Sequence, residues 1–172
     1  MKAVFLILFV IFVLPLAVSA QREKSVCLEP LKDDPDDAII LNICNQGRGM
    51  TALPSLRLYF RLYQSGRVEY EVSADYNKLV LKKTKIDAKE VAEIIKLGKE
   101  SDFQNAKSEY PRFQIWTDSG LETTIIFKNQ TQEEKKIVVN NYSSFDKENE
   151  KHYPSSLLKI LQKIDELRPK DR

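Results

Sequence analysis

The stretch ILNICNQGRGMTALPSLRLYFRLYQSGRVEYEV, residues 40–72, decides how this chain folds. Its second half alternates. Leu58, Phe60 and Leu62 are interleaved with Arg57, Tyr59, Arg61 and Tyr63. After Gln64-Ser65-Gly66, Val68, Tyr70 and Val72 are interleaved with Arg67, Glu69 and Glu71. Period-two alternation on both sides of a short polar turn is the pattern of a β-hairpin. Directly opposed residues share a sheet face, so the pattern also tests register. A two-residue loop at Ser65-Gly66 would set Leu62 against Glu69. A three-residue loop sets Leu62 against Val68, Phe60 against Tyr70, Leu58 against Val72 and Arg61 against Glu69. Only the second keeps both faces consistent, which predicts a three-residue turn with Gly66 at positive φ.

Downstream, a third strand is expected over Lys78–Lys85, with Leu79 near Val72 and Leu81 near Tyr70. Asp87 reads as a helix cap, Glu90 as its capping-box partner, and Ile86 and Val91 as a hydrophobic staple. Val91, Ile94, Ile95 and Gly98 then fall on one face of a helix that ends near Glu100. Residues 104–118 read as a long connection. Strands are expected over Leu121–Lys128 and Lys135–Asn140, and a last helix over Ser155–Leu167. In that helix Leu157, Leu161 and Ile164 point inward, and Pro169 stops it. Upstream, Ile39–Cys44 is a short apolar run and Asn45–Pro54 reads as irregular. The expected fold is α+β: an antiparallel sheet of about five strands with two helices on one face, in the order β-β-β-α-β-β-α.

The first twenty residues, MKAVFLILFVIFVLPLAVSA, place one cation before an unbroken apolar run and small residues before Gln21. That is the build of a secretory signal. The alternative, a retained anchor, needs a longer run without Pro15. Expected boundaries are a signal over residues 1–20, a polar segment over 21–38 and one α+β domain over 39–172. Cleavage takes 20 of the 172 residues and leaves 152, enough for one core. No later segment is apolar enough to span a bilayer, so the expected location is periplasmic or extracellular. Taking Lys2 from the 27 basic residues leaves 26 against 25 acidic ones. That balance argues against nucleic acid as a partner.

Cys27 and Cys44 are the two cysteines. In an oxidising compartment they read as a disulfide. A reactive or metal-binding thiol is the alternative, and no CxxC supports it. His152 is the one histidine, with Ser155 and Ser156 close in sequence but no GxSxG elbow. The acidic run Asp33-Asp34-Pro35-Asp36-Asp37 lacks the spacing of a calcium loop and reads as a solvated turn. Gly47-Arg48-Gly49 lacks a phosphate-loop frame. Asn129 and Asn141 stand in glycosylation sequons. No cofactor or metal site is expected. Arg57, Tyr59, Arg61 and Tyr63 on the hairpin's outer face form the candidate binding surface, with burial under the chain termini as the alternative. Trp116, with Tyr110 and Phe113, reads as closing the core.

The order of features resembles a family of small exported bacterial domains of unknown function. The matching pieces are Cys44, Pro54, the Gly66-Arg67-Val68-Glu69-Tyr70 hairpin and Asp87–Glu90. Phe103, Tyr110, Asp118, Thr123–Ile126 and Ile164-Asp165-Glu166-Leu167 complete the match. The family often has a cysteine just before the proline, where this chain has Leu53, so Cys44 would pair with Cys27. The resemblance implies this fold and export, and no activity. The functional expectation is an exported, non-catalytic domain that binds a protein or small ligand. The competing classes are a small secreted hydrolase with unmarked carboxylates and a protease-inhibitor-like module presenting Asn45–Pro54.

Overall fold

A computed structural model describes residues 21–22, 25–28, 36–48, 56–75, 78–111, 120–128, 133–140 and 151–168. The expected signal over residues 1–20, Phe113, Trp116, Asn129 and Asn141 lie outside these residues. The strands are β1 (Gln21–Arg22), β2 (Ile39–Arg48), β3 (Leu56–Tyr63), β4 (Arg67–Asp75), β5 (Lys78–Lys85), β6 (Glu109–Tyr110), β7 (Gly120–Lys128) and β8 (Glu134–Asn140). The helices are α1 (Ala88–Lys99), α2 (Ser101–Gln104) and α3 (Ser155–Leu167), and a 3-10 turn spans Val26–Leu28. The strands form one sheet in the order β1-β5-β4-β3-β2-β7-β8-β6. Every neighbouring pair is antiparallel except β6 with β8.

The α+β class holds, and the expected inventory is short. Two pieces of two residues stand at the sheet edges, β1 beside Leu79 and Val80 of β5 and β6 beside Val138 and Val139 of β8. The larger correction concerns β2. Asn45–Arg48, read as irregular, continues the strand: all four pair with β7, and Asn45 and Gln46 also pair with β3. Ten residues long, β2 joins the β3-β4-β5 meander to the β7-β8 hairpin. The first part of the loop proposed for an inhibitor is therefore central sheet, and residues 49–55 lie outside the described ones.

The hairpin turn is as expected. Gly66 has φ +85°, and its N–H donates to the Tyr63 carbonyl at 3.0 Å. Leu62 opposes Val68 and Arg61 opposes Glu69. The β4–β5 register is one residue off the expectation: Val72 opposes Val80, Ser73 opposes Leu79 and Glu71 opposes Leu81. The run Leu79-Val80-Leu81 is apolar on both parities, so alternation could not choose between the two registers.

All three helices cover one face of the sheet. Val91, Ile94 and Gly98 of α1 and Leu157, Ile160 and Ile164 of α3 meet Phe60, Leu62, Ile125 and Phe127 in the main core. Each buried aliphatic side chain contributes about 1.5–3 kcal/mol. Helix propensities differ by only tenths of a kcal/mol per residue, so the apolar stripes decide where the helices lie. Asp87 caps α1 by accepting from the Glu90 N–H at 2.9 Å. The Glu90 carboxylate reaches across to Lys163 of α3 at 2.5 Å, and Glu93 meets the same ammonium at 2.9 Å. These two carboxylates raise the Lys163 pKa. Helix α3 has no cap of its own at Pro154, and Asp102 of α2 supplies one by accepting from the Ser156 N–H at 3.1 Å.

Candidate functional site

The expected binding surface does not form one exposed patch. A β-bulge divides it. Along the β2–β3 ladder Ile43 opposes Phe60 and the next residue, Cys44, opposes Leu58, so Tyr59 is the extra residue. Side chains change parity there. Phe60 and Leu62 enter the main core under the helices, whereas Leu58 joins Val26 and Cys44 in a second cluster on the opposite face. Arg61 and Tyr63 also lie on that opposite face, and both are buried. Tyr59 turns to the helix side, where its hydroxyl donates to Asp165 of α3 at 2.6 Å. Arg57, two residues away and half-buried, shares Tyr59's side of the strand.

Tyr59 thus anchors the last helix. The Arg168 guanidinium lies 4.7 Å from its ring centre and 5.5 Å from that of Tyr70. Arg168 also donates to the Glu71 carbonyl at 3.4 Å. Burial and the Asp165 carboxylate raise the Tyr59 phenol from its usual 10.0 to about 12.

On the face away from the helices lies the densest polar arrangement among the described residues. Two carboxylates organise it. Glu71 is fully buried. Its oxygens accept from Ser25 Oγ at 2.6 Å, the Val26 N–H at 2.9 Å and the Leu58 N–H at 2.6 Å. The last bond explains a gap in the ladder: β3 and β4 pair at Arg61–Glu69 and Leu62–Val68, and beyond them the Glu71 side chain takes the Leu58 amide that a strand carbonyl would otherwise accept. A buried carboxylate without partners would cost several kcal/mol. Three donors settle it in place.

Glu69 is the second organiser. It accepts from the Tyr63 hydroxyl at 2.9 Å, meets Lys83 at 3.2 Å and lies 3.8 Å from Arg61. Burial, then the bond to Glu69, raises the Tyr63 phenol. Arg67 stacks 3.7 Å from the Tyr63 ring centre. Arg61 donates to the Asn42 side-chain carbonyl at 2.9 Å and to the Val26 backbone carbonyl at 3.5 Å.

The N-terminal segment Ser25–Leu28 crosses this face as a strap. Cys27 and Cys44 are joined in a disulfide, with 6.1 Å between their Cα atoms, which fixes the strap to the central strand. The sequence reading of the pair is met, and no free thiol remains among the described residues. The acidic run has a structural end: Asp37 accepts from the Ser65 N–H at 2.8 Å and Ser65 Oγ at 2.7 Å and pairs with Arg67 at 3.3 Å, so it braces the hairpin turn. His152 is exposed in the turn before α3, while Ser155 and Ser156 are engaged by Asp102. Among the described residues no group of three His, Cys, Asp or Glu could hold a metal ion. No described helix is long and apolar enough to cross a membrane. An open groove of about 490 Å³ lined by Ala92, Ile95, Lys96, Lys99, Glu100 and Ser101 lies on the helix layer.

Sequence reasoning missed Glu71 and Ser25. An alternating strand offers Glu71 as one more solvent-facing charge. Its signal was the adjacent bulge, which alternation hides. The fold and this face define an α+β domain with one helix-covered face and one polar face closed by a disulfide-tethered strap. The chain belongs to the family of a domain of unknown function, DUF6438, whose model matches residues 57–168. The match runs from β3 to α3, and the strap, both cysteines and β2 precede it. No curated protein matches the chain.

Proposed function

We propose that this chain is an exported, non-catalytic domain that recognises a partner through the polar face beside the strap. The observation that carries the reading is the Cys27–Cys44 bridge, which suits an oxidising compartment and follows a signal-like leader. The use made of the carboxylates around β3 and β4 supports binding over catalysis. Glu71 holds the strap, Glu69 holds Tyr63 and Lys83, and Asp165 holds Tyr59. Groups so committed keep a surface in shape. The rim offers recognition chemistry, since Lys83 is 60% exposed and Arg67 is 34% exposed over the Tyr63 ring.

Two measurements test this. Expressed with its leader, the protein is expected in the envelope or medium, starting at Gln21 and two mass units lighter than its dithiol form. A cytosolic product with two titratable thiols defeats the export reading. A photo-crosslinking residue at Lys83 is expected to capture a defined partner that the same probe at Glu93, on the helix layer, does not. Equal labelling from both positions defeats the assignment of the face.

A further inference from the structure

The strap, a single 3-10 turn entered from Ser25, is held by main-chain and side-chain bonds together. Glu71 accepts a backbone N–H from Val26 and a hydroxyl from Ser25, and Arg61 donates to the Val26 carbonyl. The Val26 side chain, 3% exposed, fills an apolar seat beside Leu58 and Cys44. Main-chain bonds give such a contact its affinity, and one side-chain pocket gives it selectivity. Lifting the strap would leave the buried Glu71 with the Leu58 amide alone, its remaining acceptor capacity unmet. The floor therefore favours an occupant, and the disulfide determines which segment is at hand.

We infer that the floor under the strap is a binding site for a short peptide segment in a turn conformation, filled in the oxidised chain by Ser25–Cys27 and opened by reduction of the Cys27–Cys44 bridge. This rests on reading the polar face as the recognition surface. The peptide class follows from the present occupant: a small hydroxyl residue followed by a β-branched apolar one, with a free main-chain N–H and carbonyl at the latter. Opening takes two electrons and two protons from a dithiol partner. The sulfur–sulfur bond breaks, two thiols form on the chain and the partner becomes the disulfide. The strap then keeps its chain connections to β1 on one side and β2 on the other but loses the cross-link at its centre, and its effective concentration over the floor falls.

The opening is read by hydrogen exchange of the full exported chain, oxidised and after reduction, which needs no substitution. The Val26 amide is expected to exchange at least about tenfold faster in the reduced chain. Occupancy is read by anisotropy with a labelled peptide of residues 21–28, kept reduced. It is expected to bind a V26P/C27S chain, whose own strap lacks the amide and the thiol, at least about tenfold more tightly than the oxidised chain. The same peptide carrying V26P should not bind. Equal Val26 protection in both redox states overturns the inference, as does equal peptide affinity for both chains. Crosslinking from Lys83 in the oxidised protein is independent of either result, so a partner found there with no peptide binding would leave the recognition face standing and remove only the gated floor.

Discussion

Gly98 sits at the closest approach between α1 and the sheet, and replacing it with alanine sets two known effects against each other. In a helix interior alanine is favoured over glycine by about 1 kcal/mol. Against this, a Cβ at position 98 would lie 2.2 Å from Cε2 and Cζ of Phe127 and 2.7 Å from Cε1. Carbon contacts are most favourable near 3.5–4.0 Å, so the ring would have to retreat by more than about 1 Å. Phe127 has no room to do so. It is 1% exposed and packs edge-on against Phe103, with ring centres 5.6 Å apart. Overpacking of this kind typically costs about 1–3 kcal/mol and sometimes more, and a steric overlap on three ring atoms belongs at the upper end. The sum is a net loss of roughly 1–2 kcal/mol, read as a fall of about 2–8 °C in the melting midpoint. G98A, F127L and the double variant form a cycle. The double variant should be more stable than the sum of the singles predicts, by at least about 0.5 kcal/mol. A G98A protein that melts higher than the parent would show that α1 does not press on Phe127 as described.

Three further outcomes are expected. G66V should destabilise the protein by at least about 1–2 kcal/mol in denaturant titration, because a side chain at φ +85° is strained and its Cβ would meet the Ile86 carbonyl oxygen at 2.6 Å; an unchanged midpoint would remove the left-handed turn. Tyr59 stabilises the fold as the neutral phenol, so its contribution is complete below pH 10.0 and disappears as pH rises through about 12; in ultraviolet titration one late-ionising tyrosine should vanish in Y59F, and an unaltered titration curve would contradict the Asp165 bond. The Asp102 carboxyl is held below its usual range by its bonds from Ser156, so its contribution is present at neutral pH and is lost as pH falls through the folded value. D102A should cost about 0.5–2 kcal/mol at pH 7 and flatten the acid limb of the stability profile, and equal loss at pH 7 and pH 2 would reject the cap.

What could be read from the sequence was set by short-range physics. The Gly66 turn, the Asp87 cap and the limits of α3 each depend on a few consecutive residues, and each is where the pattern placed it. The expected α1 face is also kept, with Val91, Ile94 and Gly98 buried and Ile95 at its margin. The misses depend on partners far away in the chain. Asn45, Gln46 and Gly47 look like a loop, yet they are strand because β7 pairs with all three and β3 with Asn45 and Gln46. The Asn45 side-chain carbonyl even finds the Thr123 hydroxyl at 3.0 Å. The pairing of Glu109-Tyr110 with β8 is two residues long and parallel, too short for any periodicity to announce. The four residues of the candidate surface are split by the bulge, and Arg61 and Tyr63, still on the outer face, are buried there beside the strap, Glu69 and Arg67. The alternation continues through Tyr59 in the sequence while the backbone inserts one extra residue there.

That one bulge couples the two ends of the molecule. Because Tyr59 is the extra residue, its ring turns toward α3 and fixes Asp165 and Arg168. Leu58, next to it, turns the other way and presents its amide to Glu71, which in turn holds Ser25 and Val26. Arg168 returns to the Glu71 carbonyl and closes the circuit through β4. A regular β3 would place Leu58 under the helices and Tyr59 beside Arg61, the arrangement that alternation suggests. The main core would gain one leucine, worth about 1.5–3 kcal/mol. The strap would lose its seat and α3 its tyrosine, and a carboxylate would be left at the sheet without the amide that fills the gap in the ladder. The extra residue in β3 is therefore what seats the strap on the polar face, by turning Leu58 and its amide toward Val26 and Glu71, and any account of what the protein binds has to begin there.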